Sequence, residues 1–261
     1  MDFLLYVMSG ALVGLIVGIT GIGGGSLMTP LLLLFGIPPH IAVGTDLLYA
    51  AITKASGVVA HHKQKTINWS VTFLMVAGSI PTAIITGFIL SAYFKDYQQY
   101  TGIITASLGV MLVITATLLL FRKKIQLAAE HQSNLNKTSW IQSHRMLLTV
   151  IMGIILGVFV TLSSVGAGAI GTVVLLILYP YLRSIQIIGT DLAHAVPLTL
   201  VGGLVHLSLG NVDYGLLGAL LIGSIPAIHL GSKIGSRLPE NILRNVLAGL
   251  LMILGIKYII F

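Results

Sequence analysis

The sequence predicts an all-α integral membrane protein of two inverted-topology repeats, each of about five passages: four full spans and one short half-helix. The two copies would be related by a pseudo-two-fold axis in the membrane plane. Composition, an internal duplication and the placement of basic residues carry this expectation. The 261 residues are 56% hydrophobic and only 8% charged, with a mean hydropathy of +1.01. Soluble domains carry about 25% charged residues, so water-soluble enzymes and nucleic-acid-binding domains are excluded. The absence of cysteine removes disulfides, thiolate metal sites and a cysteine nucleophile. The net charge of +7 then becomes a question of topology.

A hydrocarbon core of about 30 Å takes roughly 20 apolar residues in helix. That ruler marks spans at 3–20, 41–61, 69–92, 97–121, 145–165, 187–206, 213–234 and 240–260. The first follows the acidic Asp2 with no basic leader and reads as a retained span, not a signal peptide. Two apolar pieces, 26–36 and 170–181, are too short to cross and read as half-helices. The polar stretch 122–144 reads as an exposed linker, which divides the chain into a first repeat at 1–121 and a second at 145–261.

The halves are copies. An offset of 145 sets Gly44-Thr45-Asp46-Leu47 on Gly189-Thr190-Asp191-Leu192, Gly57 on Gly202, His61 on His206, and Gly78-Ser79-Ile80-Pro81 on Gly223-Ser224-Ile225-Pro226. With Ala50 on Ala195 there are 11 identities in the 38 pairs from 44–81 onto 189–226, without a gap. The same offset sets the glycine turn that begins at Gly21 on the one that begins at Gly166. Five passages per half, an odd number, invert the second copy. With the amino terminus outside, Lys63, Lys65, Arg122, Lys123, Lys124, Lys137, Arg145, Arg183, Lys233, Arg237 and Arg244 fall on the cytoplasmic side, and only Lys95 and Lys257 fall outside. Four passages per half would make the unlike loops after His61 and His206 equivalent, which fits less well.

The G-x-G-G-G-S turn at Gly21–Ser26, a following Pro, the G-T-x-L pattern, a downstream Gly and His, and the recurrence of the set resemble the TauE/SafE sulfite exporter family. The likeness covers nearly the whole chain outside the linker. It implies movement of a small, mostly sulfur-containing anion (sulfite, thiosulfate or an organosulfonate) across the cytoplasmic membrane of a prokaryote. The residue after Gly-Thr, commonly Ser or Asn in the family, is here Asp46 and Asp191, and the second turn has Ala169 and Ile170 where the first has glycines.

Irregular backbone in hydrocarbon costs several kcal/mol per unpaired polar group, so it persists only where it is packed in protein or lines a wet cavity. The glycine turn before each half-helix is therefore the expected substrate site: Gly21, Gly23, Gly24, Gly25 and Ser26 in the first half, Gly166 and Gly168 in the second, with Thr45 and Thr190 beside them. Glycines let amide groups approach an anion, and a half-helix points its positive end at it. Isolated glycines such as Gly10, Gly14 and Gly18 are better explained by close helix packing.

Asp46 and Asp191 are the only acidic residues away from the ends of the predicted spans, and they are repeat mates. Intramembrane ionisable groups mark a substrate or proton path, so both are candidates for proton coupling, with capping of their own helices as the structural alternative. Lys54 could meet Asp191 across the repeat interface, although its own mate is the uncharged Thr199. His61 and His206 read equally as interface anchors or as a titrating gate. Pro81 and Pro226 read as kinks, more static than hinged. An intramembrane aspartyl protease is disfavoured because G-x-G-D is absent, and no zinc-hydrolase, serine-hydrolase or Walker motif occurs. The chain is therefore expected to be no enzyme, to take no cofactor and no structural metal, and to have as partners an anionic solute and the bilayer. A carrier of cations or divalent metals using Asp and His ligands is the rival reading, and monomer and homodimer both stay open.

Overall fold

A computed structural model describes residues 2–20, 25–93, 97–134, 140–234 and 240–260. Every described element is an α-helix: α1 (Asp2–Thr20), α2 (Gly25–Leu34), α3 (Pro39–Lys63), α4 (Trp69–Tyr93), α5 (Tyr97–Asn134), α6 (Trp140–Ser143), α7 (Arg145–Ser163), α8 (Ala169–Leu178), α9 (Ser184–Ser208), α10 (Tyr214–Ile234) and α11 (Glu240–Ile260). Five of the described helices are long and apolar enough to cross a membrane, within α4, α5, α7, α9 and α10. The apolar parts of α1 and α11 are shorter, at Phe3–Ile19 and Asn245–Ile260. α3, with 25 residues, is as long as α4 and α9, but its inner face carries polar residues.

Polarity runs inside out relative to a soluble protein. Large apolar side chains such as Phe3, Phe73, Phe88 and Ile253 stand exposed, whereas Asp46, Lys54, Ser79, Asp191, His194 and His206 are buried. A contiguous apolar exterior of this extent is a lipid-facing surface. The two half-helices are where the apolar pieces place them. α2 and α8 have ten residues each, about 15 Å of rise. The linker differs from the expectation in one respect: α5 runs on as helix through Arg122, Lys123 and Lys124 to Asn134. A helix already begun propagates readily through helix-forming residues, whatever their polarity. Lys95, Lys137 and Arg237 of the topology argument lie outside the described residues.

Close approaches fix the relative directions of the helices. Along α3, Gly44 lies against His206 and Asn211, Leu48 against Gly203, and Gly57 against Leu192, while His61 meets Gly189. Residue numbers rise on α3 as they fall on α9, so these two helices run antiparallel. α5 and α11 do the same, with Gly109 on Ile259 and Val113 on Gly255. α1 and α10 instead run parallel, Gly10 meeting Leu220 and Gly14 meeting Ser224, and α7 runs parallel to α4, Gly153 meeting Met75 and Gly157 meeting Ser79. At Gly10 and Gly14 a Cβ would collide with neighbouring backbone, which is the close packing expected of isolated glycines.

These contacts also refine the register. α3 and α9 have bounds 145 apart, 39–63 and 184–208. Met75 and Ser79 are likewise 145 before Leu220 and Ser224, but Gly10 and Gly14 are 143 before Gly153 and Gly157. The gapless offset therefore slips ahead of α3. Between the first helix and the half-helix lie residues 21–24 in one half and 164–168 in the other, so the second turn is one residue longer.

Candidate functional site

The backbone breaks where α7 gives way to α8. Ser164 closes α7 in the left-handed conformation (φ 59°), and Gly166 and Gly168 hold φ of 116° and 124°, which only glycine adopts without strain. α8 starts at Ala169 with no side-chain cap. The Ile170 N–H donates to the Gly166 carbonyl at 3.1 Å and the Thr172 N–H to the Gly168 carbonyl at 3.4 Å. The amides of Ala167, Gly168 and Ala169 find no acceptor among the described residues. The turn is nonetheless enclosed, since Ser163, Ser164, Val165 and Ala167 are all buried. Buried amides at a helix N-terminus form a pocket of positive potential.

Three charged or ionisable side chains converge on this turn from other helices. Lys54, on α3, is 4% exposed and donates from Nζ to the Ala167 carbonyl at 3.2 Å. Asp46, eight residues earlier on α3, is fully buried; its Oδ2 accepts the Thr29 N–H at 3.2 Å and the Thr29 hydroxyl at 2.5 Å. Asp46 thus ties α3 to the first half-helix, not to the start of its own helix. Its Oδ1 has no partner and faces the Ser164 hydroxyl without closing a bond to it. Asp191, on α9, lies against α8 so closely that a Cβ at Gly171 would strike its carboxylate, and its buried Oδ1 is also unpartnered. Lys54 lies within electrostatic reach of both carboxyls, with no ion pair closed.

The threonines of the Gly-Thr pairs sit elsewhere. The Thr45 hydroxyl accepts the Asp213 N–H at 3.1 Å, and the Thr190 hydroxyl accepts the Asn68 N–H at 2.9 Å. Asn68 and Asp213 are the N-caps of α4 and α10, holding the Val71 and Leu216 amides at 3.3 and 2.9 Å. The two hydroxyls therefore brace each half against the helix start of the other, away from the glycine turn. His61 and His206 act as anchors too. His206 Nε2 donates to the Thr161 carbonyl at 2.8 Å and its Nδ1 faces the Asn211 amide at 3.3 Å; His61 Nδ1 shares a 2.8 Å hydrogen bond with Thr66. A second proton on His206 Nδ1 would point at the Asn211 donor, which works against a titrating gate.

Of the first turn, Gly21, Gly23 and Gly24 lie outside the described residues, while Gly25 and Ser26 open α2 as helix. Two interior groups escape sequence reasoning. His194, fully buried, shares a 2.9 Å hydrogen bond from Nε2 with the Ser79 hydroxyl, and its Nδ1 is unpartnered. Its counterpart 145 residues earlier is Tyr49, whose hydroxyl is buried beside Ser224 and equally unpartnered. The available signal was the i, i+3 spacing from Asp46 to Tyr49 and from Asp191 to His194, which sets each pair on one helix face. Among the described residues no three His, Asp or Glu side chains come together as a metal site would need.

Comparison with known proteins agrees with this architecture. A family model described as sulfite exporter TauE/SafE matches residues 6–258. The chain is 37% identical over 253 residues to the probable membrane transporter protein YjnA of Bacillus subtilis, covering 97% of this chain and 98% of that one. It is 30% identical to the probable membrane transporter protein YdhB of the same organism, over 93% of this chain and 96% of that one. It is 27% identical to the probable membrane transporter protein MJ0441 of Methanocaldococcus jannaschii, over 97% and 93% respectively. No solved structure matches the chain.

Proposed function

Because the chain belongs to the sulfite exporter TauE/SafE family and is thus a multi-pass membrane transporter, we propose that it carries a small sulfur-containing anion of the sulfite, thiosulfate or organosulfonate class. The site is the break between α7 and α8. One observation carries the reading: the unpaired amides of Ala167, Gly168 and Ala169, with Ala167 and Ala169 buried, share a turn with the carbonyl that holds the Lys54 ammonium, so hydrogen-bond donors and a positive charge meet where hydrocarbon would otherwise surround them. A cation in the same place would face Lys54, which disfavours a metal carrier.

Of the two intramembrane carboxyls, Asp46 and Asp191, this reading gives the coupling proton to Asp191, with Asp46 fastening α2. An ionised carboxylate repels an incoming anion, whereas a protonated one tolerates it, so proton and anion cross together. Two inverted copies explain how such a site opens to either side. Antiparallel pairing of α3 with α9 and of α5 with α11 is what copies related by an axis in the membrane plane produce, and the helix bounds repeat accordingly. The distribution of Lys and Arg sets the amino terminus outside and residues 122–144 in the cytoplasm of a prokaryotic cell.

Flux of radiolabelled sulfite, thiosulfate, sulfonates and carboxylates into proteoliposomes under an imposed pH gradient tests substrate and coupling together. A sulfur anion accelerated by the gradient is the expected outcome. Thermal stabilisation in detergent by divalent metals and by none of these anions would refute the reading.

A further inference from the structure

Lys54 is the one buried Lys or Arg among the described residues. Its repeat mate Thr199 carries no charge and turns its hydroxyl back to the Ala195 carbonyl of its own helix at 2.8 Å. The resident cation therefore belongs to one side of the interior. An ammonium held away from water needs an anion beside it. In the structure its Nζ has the Ala167 carbonyl, a neutral acceptor, and two carboxyls within electrostatic reach. One of these is held at one oxygen, because the Thr29 amide and hydroxyl both bond Asp46 Oδ2, leaving its Oδ1 unpartnered. The other, Asp191, has no such donors among the described residues and keeps an unpartnered Oδ1 against Gly171 in the first turn of α8. The ionisable groups around this arrangement are Asp46 and Tyr49 on α3, Arg122 from α5, which reaches Asp191, and His194 on α9, which feels Lys54.

We propose that Lys54 exchanges countercharges, pairing with ionised Asp191 when the site is empty and with a monovalent anion on the 167–169 amides when it is occupied, Asp191 then holding a proton. This rests on the anion reading above and deepens it by naming the cargo's charge and the stoichiometry. The balance is simple. With Asp46 protonated in both states, the empty interior holds one ammonium and one carboxylate; a monoanion and a proton enter, and the proton forms an O–H bond on the Asp191 carboxyl. The loaded interior holds one ammonium and one monoanion and is again neutral. A dianion would leave a negative charge uncompensated in a medium that tolerates none, so the site selects monoanions.

Proteoliposomes containing the full chain test this with methanesulfonate, a monoanion, and thiosulfate, a dianion, each driven by either a pH gradient or a valinomycin-set potential. Methanesulfonate flux is expected to follow the pH gradient and ignore the potential, with thiosulfate slower by about tenfold or more. Lys54→Gln should lower methanesulfonate flux by about a hundredfold, as removal of one partner from a buried charge pair does, and Lys54→Arg should restore part of it. Monodisperse elution and unchanged helix content of both variants separate this from misfolding. Flux that responds to the potential, equal rates for the two anions, or wild-type flux in Lys54→Gln would overturn the proposal while leaving an anion carrier intact. Wild-type liposomes that pass neither anion but do pass a divalent cation would sink the anion reading itself.

Discussion

The two half-helices begin from one motif and end in different surroundings. Asp46 is bound through Oδ2 by two donors of α2, whereas Asp191 lies against Gly171 on α8 in the field of Lys54 and Arg122. The outer helices differ in the same sense. α5 packs along both α7 and α8, while its counterpart α11 stands off α1 and α2. That leaves an apolar groove lined by Leu12, Val13, Leu27, Leu31, Leu247 and Leu254. The comparison teaches that a duplicated Gly-Thr-Asp need not do the same work twice: one carboxyl fastens a half-helix, and the other is the one to which the proposed coupling gives the proton.

Flux offers the largest expected contrast. Asp191→Asn should remove acceleration by a pH gradient and lower driven flux by about a hundredfold, while Asp46→Asn should lower it less than about tenfold, because an Asn oxygen still accepts from Thr29. Equal losses, measured in the same proteoliposomes, would end the division of labour. Next comes stability at the Asp191 side. In Gly171→Ala the new methyl group strikes the carboxylate inside a packed helix pair, and a loss of about 1–3 kcal/mol is expected by chemical denaturation in detergent.

Where the halves agree, matched substitutions should agree too. Thr45→Val and Thr190→Val each remove the acceptor of one amide, Asp213 or Asn68, and each should cost about 1 kcal/mol in the same assay. A clear inequality would show that the two braces are not equivalent. The smallest effect is expected at the one interior pair where a ring type differs. His194→Tyr copies Tyr49 into the second half and gives up one hydrogen bond to Ser79, about 0.5 kcal/mol at the low end for such a bond, with little change in thermal midpoint.

Much of this molecule could be read along the chain. Hydropathy placed the ten-residue half-helices, because a piece of about 15 Å has too few apolar residues to be mistaken for a span. The duplication marked Asp46 with Asp191 and His61 with His206, because identity at a fixed offset needs no coordinates. Burial of Gly166 in an irregular turn likewise follows from the cost of bare backbone in lipid. What stayed hidden depends on contacts between residues far apart in sequence. That Thr29 fastens Asp46, that the Lys54 ammonium reaches the Ala167 carbonyl, and that the Thr45 hydroxyl accepts the amide of the cap residue Asp213 in the other half are each decided by which helix faces which. Local sequence sets where a helix starts and stops and how costly its side chains are in lipid. The partner that meets a buried polar group is chosen only when the whole bundle closes around it.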